Sequence, residues 1–184
     1  MTVRTTMSAL ISYVRLLIAD PSGTSCTQFT DQQIQDVLDQ HGTDVFQMRL
    51  TAADDIQTSG LIWWTDFYAQ RPFWETGAKI QGNNWAVLTP TTSDEMNGKW
   101  TFTTSQSLPL WLSGTHYDVF AAATDLLRMW LSSVKLDFDF SSVNSGYQRS
   151  QKIRSIQQAI AQLQQRQPLR RIKMTRDDSG RWCR

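Results

Sequence analysis

Histidine and cysteine are scarce in this chain: its 184 residues include two of each. Most zinc sites and most nucleophilic mechanisms draw ligands, bases and nucleophiles from these residue types, so the shortage removes parts that such chemistry needs. The usual motifs are missing too, with no glycine-rich phosphate loop, no GxSxG elbow, no CxxC and no HExxH. Cys26 and Cys183 lie near opposite ends in unrelated contexts and read as reduced thiols of a cytosolic product. His41 has no second ligand nearby and reads as a structural histidine on a helix face. The adjacent acids Asp54 and Asp55 lack a third carboxylate at ligand spacing and read as solvated. The expectation is a protein that is not an enzyme, with no catalytic residues, no metal and no cofactor.

Long apolar runs are lacking as well. The opening MTVRTTMSAL has no hydrophobic signal region, and the apolar run after it is interrupted by Arg15, so neither a signal peptide nor a membrane span is expected. Charge is sparse, at 19% of residues with a net +1. The chain as a whole therefore lacks the basic composition of a nucleic-acid binder.

What is present is 40% hydrophobic residues, enough for one domain with a sizeable core. A first helix is predicted over 6–19, with Leu10, Ile11, Val14, Leu17 and Ile18 on its apolar face, stopped by Asp20-Pro21-Ser22-Gly23. A second begins at Thr30, whose capping box with Gln33 and staple between Phe29 and Ile34 are explicit start signals; Gly42 ends it. From Val45 to Thr51 the period drops to two, predicting a half-buried strand with Phe46, Met48 and Leu50 inward.

The stretch from Thr115 to Gln165 predicts two long helices. In the first, Phe120, Ala123, Leu127, Trp130, Leu131 and Val134 share a face, Thr115 and Asp118 make a capping-box-like start, and Leu127 and Trp130 are placed at the centre of the helical core. In the second, Ile153, Ile156, Ile160 and Leu163 form a narrow stripe. The linker Asp137-Phe138-Asp139-Phe140 reads as a short edge strand, or as rings laid on the core with the acids outward.

Between these helical parts lies a β-like segment holding six of the eight tryptophans: Trp63, Trp64, Trp74, Trp85, Trp100 and Trp111. Turn signals at Gly82-Asn83-Asn84 and Asn97-Gly98 punctuate three or four predicted antiparallel strands. The tryptophans either fill the core of a small sheet or form an interface with a subunit or neck partner, the latter assigned to Trp63, Trp64 and Trp74. The expected fold is α+β: about four core helices, an inserted antiparallel β subdomain and an extended C-terminal tail. Residues 1–167 form one domain, with a helical core of 1–51 and 112–167 and the β-rich insert at 52–111. Residues 168–184 form a basic arm. From Arg166 onward seven basic residues face two acids, a net +5, so the preceding 165 residues carry −4. Such an arm suits nucleic acid or an acidic protein surface.

The order of features resembles the head–tail adaptor (head-completion or connector) proteins of long-tailed bacteriophages. The matching pieces are LLIADPSG, FTDQQIQDVLDQH, VLTPTTSDEMNGKWTF, YDVFAAATDLLRMW, KLDFDFS and YQRSQKI, which together span most of residues 7–165. The resemblance implies a structural virion protein at the head–tail junction, assembled in the host bacterial cytoplasm. It implies a homo-oligomeric ring, taken as dodecameric, that docks on the portal protein and extends the DNA channel. A tail-side neck, stopper or tail-completion protein binds below, and no membrane is involved. The C-terminal segment would reach the portal through Arg170, Arg171, Ile172, Lys173, Met174 and Arg176. Double-stranded DNA would pass the lumen without sequence-specific binding; the chain's near-zero net charge and the glutamines of 157–167 suit a wall that does not grip phosphates. The alternative is a nucleic-acid-binding packaging accessory protein that uses the basic arm, whose mark would be a basic stripe with interleaved aromatics on the body.

Overall fold

A computed structural model describes residues 2–20, 27–53, 55–56, 62–134, 140–142, 145–147 and 149–166. Cys26, Cys183, Asp54, the 135–139 linker and the whole 168–184 arm, including Arg170, Arg171, Ile172, Lys173, Met174 and Arg176, lie outside the described residues. In chain order the elements are α1 (Ser8–Ile18), α2 (Asp31–Gln40), β1 (Gly42–Arg49), β2 (Thr51–Ala52), β3 (Asp55–Ile56), β4 (Ile62–Trp63), β5 (Asp66–Tyr68) and β6 (Lys79–Gln81). They continue with β7 (Val87–Leu88), β8 (Thr92–Asp94), β9 (Lys99–Thr101), β10 (Trp111–Tyr117), α3 (Val119–Val134), β11 (Phe140–Ser142), β12 (Ser145–Tyr147) and α4 (Arg149–Arg166). The fold is α+β, with four helices and antiparallel sheets.

The helices follow their local signals. A short 3₁₀ turn leads into α1, and Ala19 closes it in the left-handed conformation, its N–H reaching the Arg15 and Leu16 carbonyls. The Thr30–Gln33 capping box forms in full, and Phe29 and Ile34 are both buried. Arg15, buried in α1, binds Asp20 (3.2 Å), Asp31 (2.6 Å) and the Phe29 carbonyl (2.8 Å). Asp20 in turn accepts the Gln28 and Phe29 amides, so one ion network fixes both ends of the α1–α2 connection. The four helices share one cluster in which Leu10, Ile34, Leu38, Leu126, Leu127, Ile156 and Leu163 are buried.

The third helix starts later than expected. Thr115 lies in β10, where its hydroxyl donates to Asp44, and the cap is Asp118, whose carboxylate accepts the Ala121 amide. Cross-strand pairing of β10 on both sides outweighs the local Thr115 cap signal. The sheet region is also larger than three or four strands. Among the described residues ten strands stand between α2 and α3, running beyond 52–111 to Gly42 on one side and Tyr117 on the other. They form two four-stranded sheets, ordered β1-β10-β6-β7 and β2-β5-β9-β8, and the β3-β4 pair. Both larger sheets feed one core of Leu50, Phe67, Trp74, Ile80, Trp100, Phe102, Leu110 and Leu112. Trp74 and Trp100 meet edge to face at 6.3 Å in its centre. At the β8–β9 hairpin Gly98 is required: its φ is +66°, and a Cβ there would stand 2.7 Å from the Arg71 carbonyl oxygen.

Phe46 departs from the expected alternation. The β1–β10 register slips between Val45 and Met48, with Gln47 at φ 54°. This β-bulge puts two residues opposite one, so Val45 turns to the core and Phe46 outward, while Met48 and Leu50 stay inward as the period predicts.

Candidate interaction surface

The sheet β1-β10-β6-β7 presents an outer face built by register. Arg49 pairs with Trp111, Trp111 with Gln81 and Gln81 with Val87, so these four side chains line one row on one face. The adjacent row, Met48, Leu112, Ile80 and Leu88, faces the core. Next to the outer row stand Ser113 and Lys79, then Phe46 at the bulge. The Gly82–Ala86 turn lays Trp85 over Trp111, with ring centroids 6.4 Å apart and 16° between planes. Phe46 is 79% exposed, Val87 64% and Trp85 54%. At the other end of this face Tyr117 is buried in the helical cluster.

Trp63, Trp64 and Trp74 do not make a common surface. Trp74, expected at an interface, is 1% exposed and belongs to the chain's own core, its indole N–H donating to the Arg71 carbonyl at 2.6 Å. A ring that large is buried because the sheets offer few other residues to fill the space between them. Trp64 is half-buried against the same core, and Trp63 is partly exposed on the β3-β4 pair. Leu127 is buried in the helical cluster as expected; Trp130 packs at its margin, half-buried, and not at its centre. The residues that sequence reasoning missed are Phe46, Trp85 and Val87. Trp85 was legible in one respect, since it directly follows the Gly82-Asn83-Asn84 turn signal and a turn tip is exposed.

The polar clusters elsewhere tie elements together. Arg4 joins Asp39 of α2 and donates to the Tyr117 hydroxyl at 3.2 Å, while Tyr117 donates to Glu75 at 2.7 Å. Burial, and then the Glu75 carboxylate, hold the Tyr117 phenol well above its ordinary range. His41 Nε2 pairs with Asp125 at 2.9 Å, linking α2 to α3. His116 is nearly buried against Trp74, and its Nε2 accepts from Arg71 at 2.7 Å, which fixes the proton on the other ring nitrogen. Burial, and then Arg71, push its pKa below the ordinary value. Among the described residues no group of three or more His, Cys, Asp or Glu is placed to hold a metal ion, and no helix is long and apolar enough to cross a membrane. Two depressions of about 400 and 410 Å³ lie on the sheet region, both open to solvent. The arrangement supplies surfaces for contact and ties between elements. No family model matches the chain, and neither a curated protein nor a solved structure matches it.

Proposed function

We propose that this chain is a ring-forming head–tail adaptor of a long-tailed bacteriophage: a structural virion protein that docks on the portal, extends the DNA channel and joins the head to a tail-side neck protein. The observation that supports this reading is architectural. Four of the segments that carry the resemblance enter one helical bundle, LLIADPSG at the end of α1, FTDQQIQDVLDQH in α2, YDVFAAATDLLRMW in α3 and YQRSQKI at the start of α4, while VLTPTTSDEMNGKWTF forms β7 to β9 of the sheet region inserted between α2 and α3. In the neck the ring is the functional unit, with portal above and stopper or tail-completion protein below. The arm after Pro168, with its excess of positive charge, is attracted to an acidic portal surface before contact. Arg170, Arg171, Lys173 and Arg176 supply charge complementarity, and Ile172 and Met174 enter apolar pockets.

Two experiments test the reading. Electron microscopy of the purified protein, and of particle necks, should show rings with a central channel wide enough for duplex DNA. Removal of the residues after Gln167 should leave a folded subunit that no longer adds to DNA-filled heads. If the truncated chain completes heads at the normal rate, the docking role of the arm is wrong. Tight, arm-dependent retardation of DNA at physiological salt would favour the packaging-accessory alternative.

A further inference from the structure

The outer face of the sheet β1-β10-β6-β7 is costly to build. Gln47 and Trp85 are two of the four non-glycine residues with positive φ among the described residues. The left-handed conformation is unfavourable for a residue that carries a Cβ. Gln47 sits in the bulge that turns Phe46 outward, and the left-handed turn at Trp85 sets that ring over Trp111. Neither device deepens the subunit's own core, since Phe46 and Trp85 remain largely in solvent. Large apolar side chains held exposed as one patch mark a contact site. The charges of this face are Arg49 and Lys79, for which no ion pair forms among the described residues, and Asp44, engaged by the Thr115 hydroxyl.

A second surface of the same chain complements it. The exposed stripe of α1 is Ser8, Ala9, Ser12, Leu16 and Ala19, without a charge, and Leu16 is 74% exposed. Surface helices ordinarily place charged residues there. Beside it, Asp31 of α2 is half exposed and bonds Arg15 of α1, in a cluster where the two carboxylates of Asp20 and Asp31 face the single guanidinium of Arg15, leaving a net negative charge. A cationic aromatic face and an uncharged helix stripe beside a net-negative cluster are complementary in sign. They lie on different elements, α1 packing on α2 and α3, so one copy carries both halves of a head-to-tail contact.

We infer that the occupant of the sheet face is a second copy of this chain, whose α1–α2 side seats on Phe46, Trp85, Trp111 and Val87 between Arg49 and Lys79. This rests on the ring reading, because a heterologous contact closes only if its rotation does. The test uses the full chain in two variants, F46S/W85S and L16E, with the association constant measured by sedimentation and folding checked by circular dichroism and thermal melting. Both sets of residues are exposed, so both variants should melt within a few degrees of wild type. Each should weaken self-association by about tenfold or more. Mixed together, the two variants should form a heterodimer and nothing larger, because each retains one intact half.

Variants that assemble like wild type, or a mixture that stays monomeric, would overturn the contact. Rings formed by wild type and variants alike would remove this contact while leaving the adaptor reading intact. Wild-type assemblies that lose association in both variants yet fail to add to heads would support the contact and remove the adaptor reading. A monomeric wild type whose tryptophan fluorescence is quenched by a thymidine oligonucleotide, with the quenching lost in F46S/W85S, would overturn the inference in favour of a nucleic-acid stacking platform.

Discussion

Among the described residues, eighteen buried ones make the core of the helical bundle, and two of them, Phe29 and Tyr117, are aromatic; eight make the core of the sheet region, and four of those are aromatic. The bundle spreads its burial over many aliphatic side chains on helix faces that repeat every three or four residues. The sheet region concentrates its burial in Phe67 and Trp100, on strands of three residues, and in Trp74 and Phe102, outside the strands. Strands that short supply little apolar surface each, so a few large rings fill the space between the sheets. The difference implies that the sheet region should fail at single residues, whereas the bundle should degrade by increments.

The largest effect should come from Trp74. Replacing it with Ala removes the edge contacts with Trp100 and His116 and the hydrogen bond to the Arg71 carbonyl. Truncating a fully buried Trp costs about 3–5 kcal/mol, a large part of a typical domain stability of about 5–15 kcal/mol. Ile11→Val in α1, an equally buried site, should cost only about 0.5–1.5 kcal/mol because one methylene is lost from a broad interface. Urea denaturation of both variants measures the contrast. A Trp74→Ala cost under about 2 kcal/mol would break it.

Next in size is Thr30→Ala. It removes the hydroxyl that accepts the Gln33 amide, while the Thr30 backbone N–H keeps its bond to the Gln33 side chain. Loss of an N-cap costs about 1 kcal/mol, within a range of about 0.5–2. A loss visible in the melting temperature, with helix content otherwise kept, is expected. A Thr30→Ser variant that fails to restore stability would show that the hydroxyl is not what matters.

A pH-dependent effect separates the two regions in another way. His116 belongs to the sheet region, and its folded pKa lies below the ordinary 6.5, through burial first and the neighbouring Arg71 second. The unfolded chain therefore takes up a proton before the folded one does. The stability of the neutral form is complete above 6.5 and falls as pH drops below it, until the folded state too is protonated. His116→Gln can keep an acceptor for Arg71 without titrating, so its stability should vary less between pH 7 and pH 5 than that of wild type. Parallel pH profiles for the two proteins would remove His116 as the source.

The same contrast explains what was legible in the sequence. Helical burial is written locally, so the faces of α1, α3 and α4 and the Thr30 box could be read from spacing alone. The sheet core is not local. Trp74 and Trp100 are separated by three strands in the chain, and nothing beside either residue indicates that they meet. The bulge at Gln47 reverses the side-chain alternation at Phe46, and no residue type announces it, since Gln is not a usual left-handed residue. Thr115 carries a genuine cap signal that is overridden by pairing with Asp44 across a strand 71 positions earlier. The exposed aromatic face could be located only after those long-range pairings were known.

The smallest effect, and the sharpest check on the bundle, is Trp130→Phe. Trp130 was expected at the centre of the helical core but is half-buried at its margin, with the Lys152 ammonium 5.3 Å from its ring. Its indole N–H is buried with no hydrogen-bond partner among the described residues. An unpaired buried donor costs about 1–3 kcal/mol, and Phe removes it. Phe also removes part of the ring, worth about 0.8 kcal/mol per methylene-sized group, and leaves an aromatic face for Lys152. The two terms oppose each other, so the net change should lie within about 1 kcal/mol of zero. Trp130→Ala keeps no ring and should cost more than Trp130→Phe, yet less than the about 3–5 kcal/mol of a fully buried Trp. Chemical denaturation of the two variants side by side decides the matter. If Trp130→Phe alone lost more than about 2 kcal/mol, the indole N–H would have to be hydrogen-bonded after all. A polar tie would then sit at the bundle's margin, and burial there would no longer be a matter of small aliphatic increments.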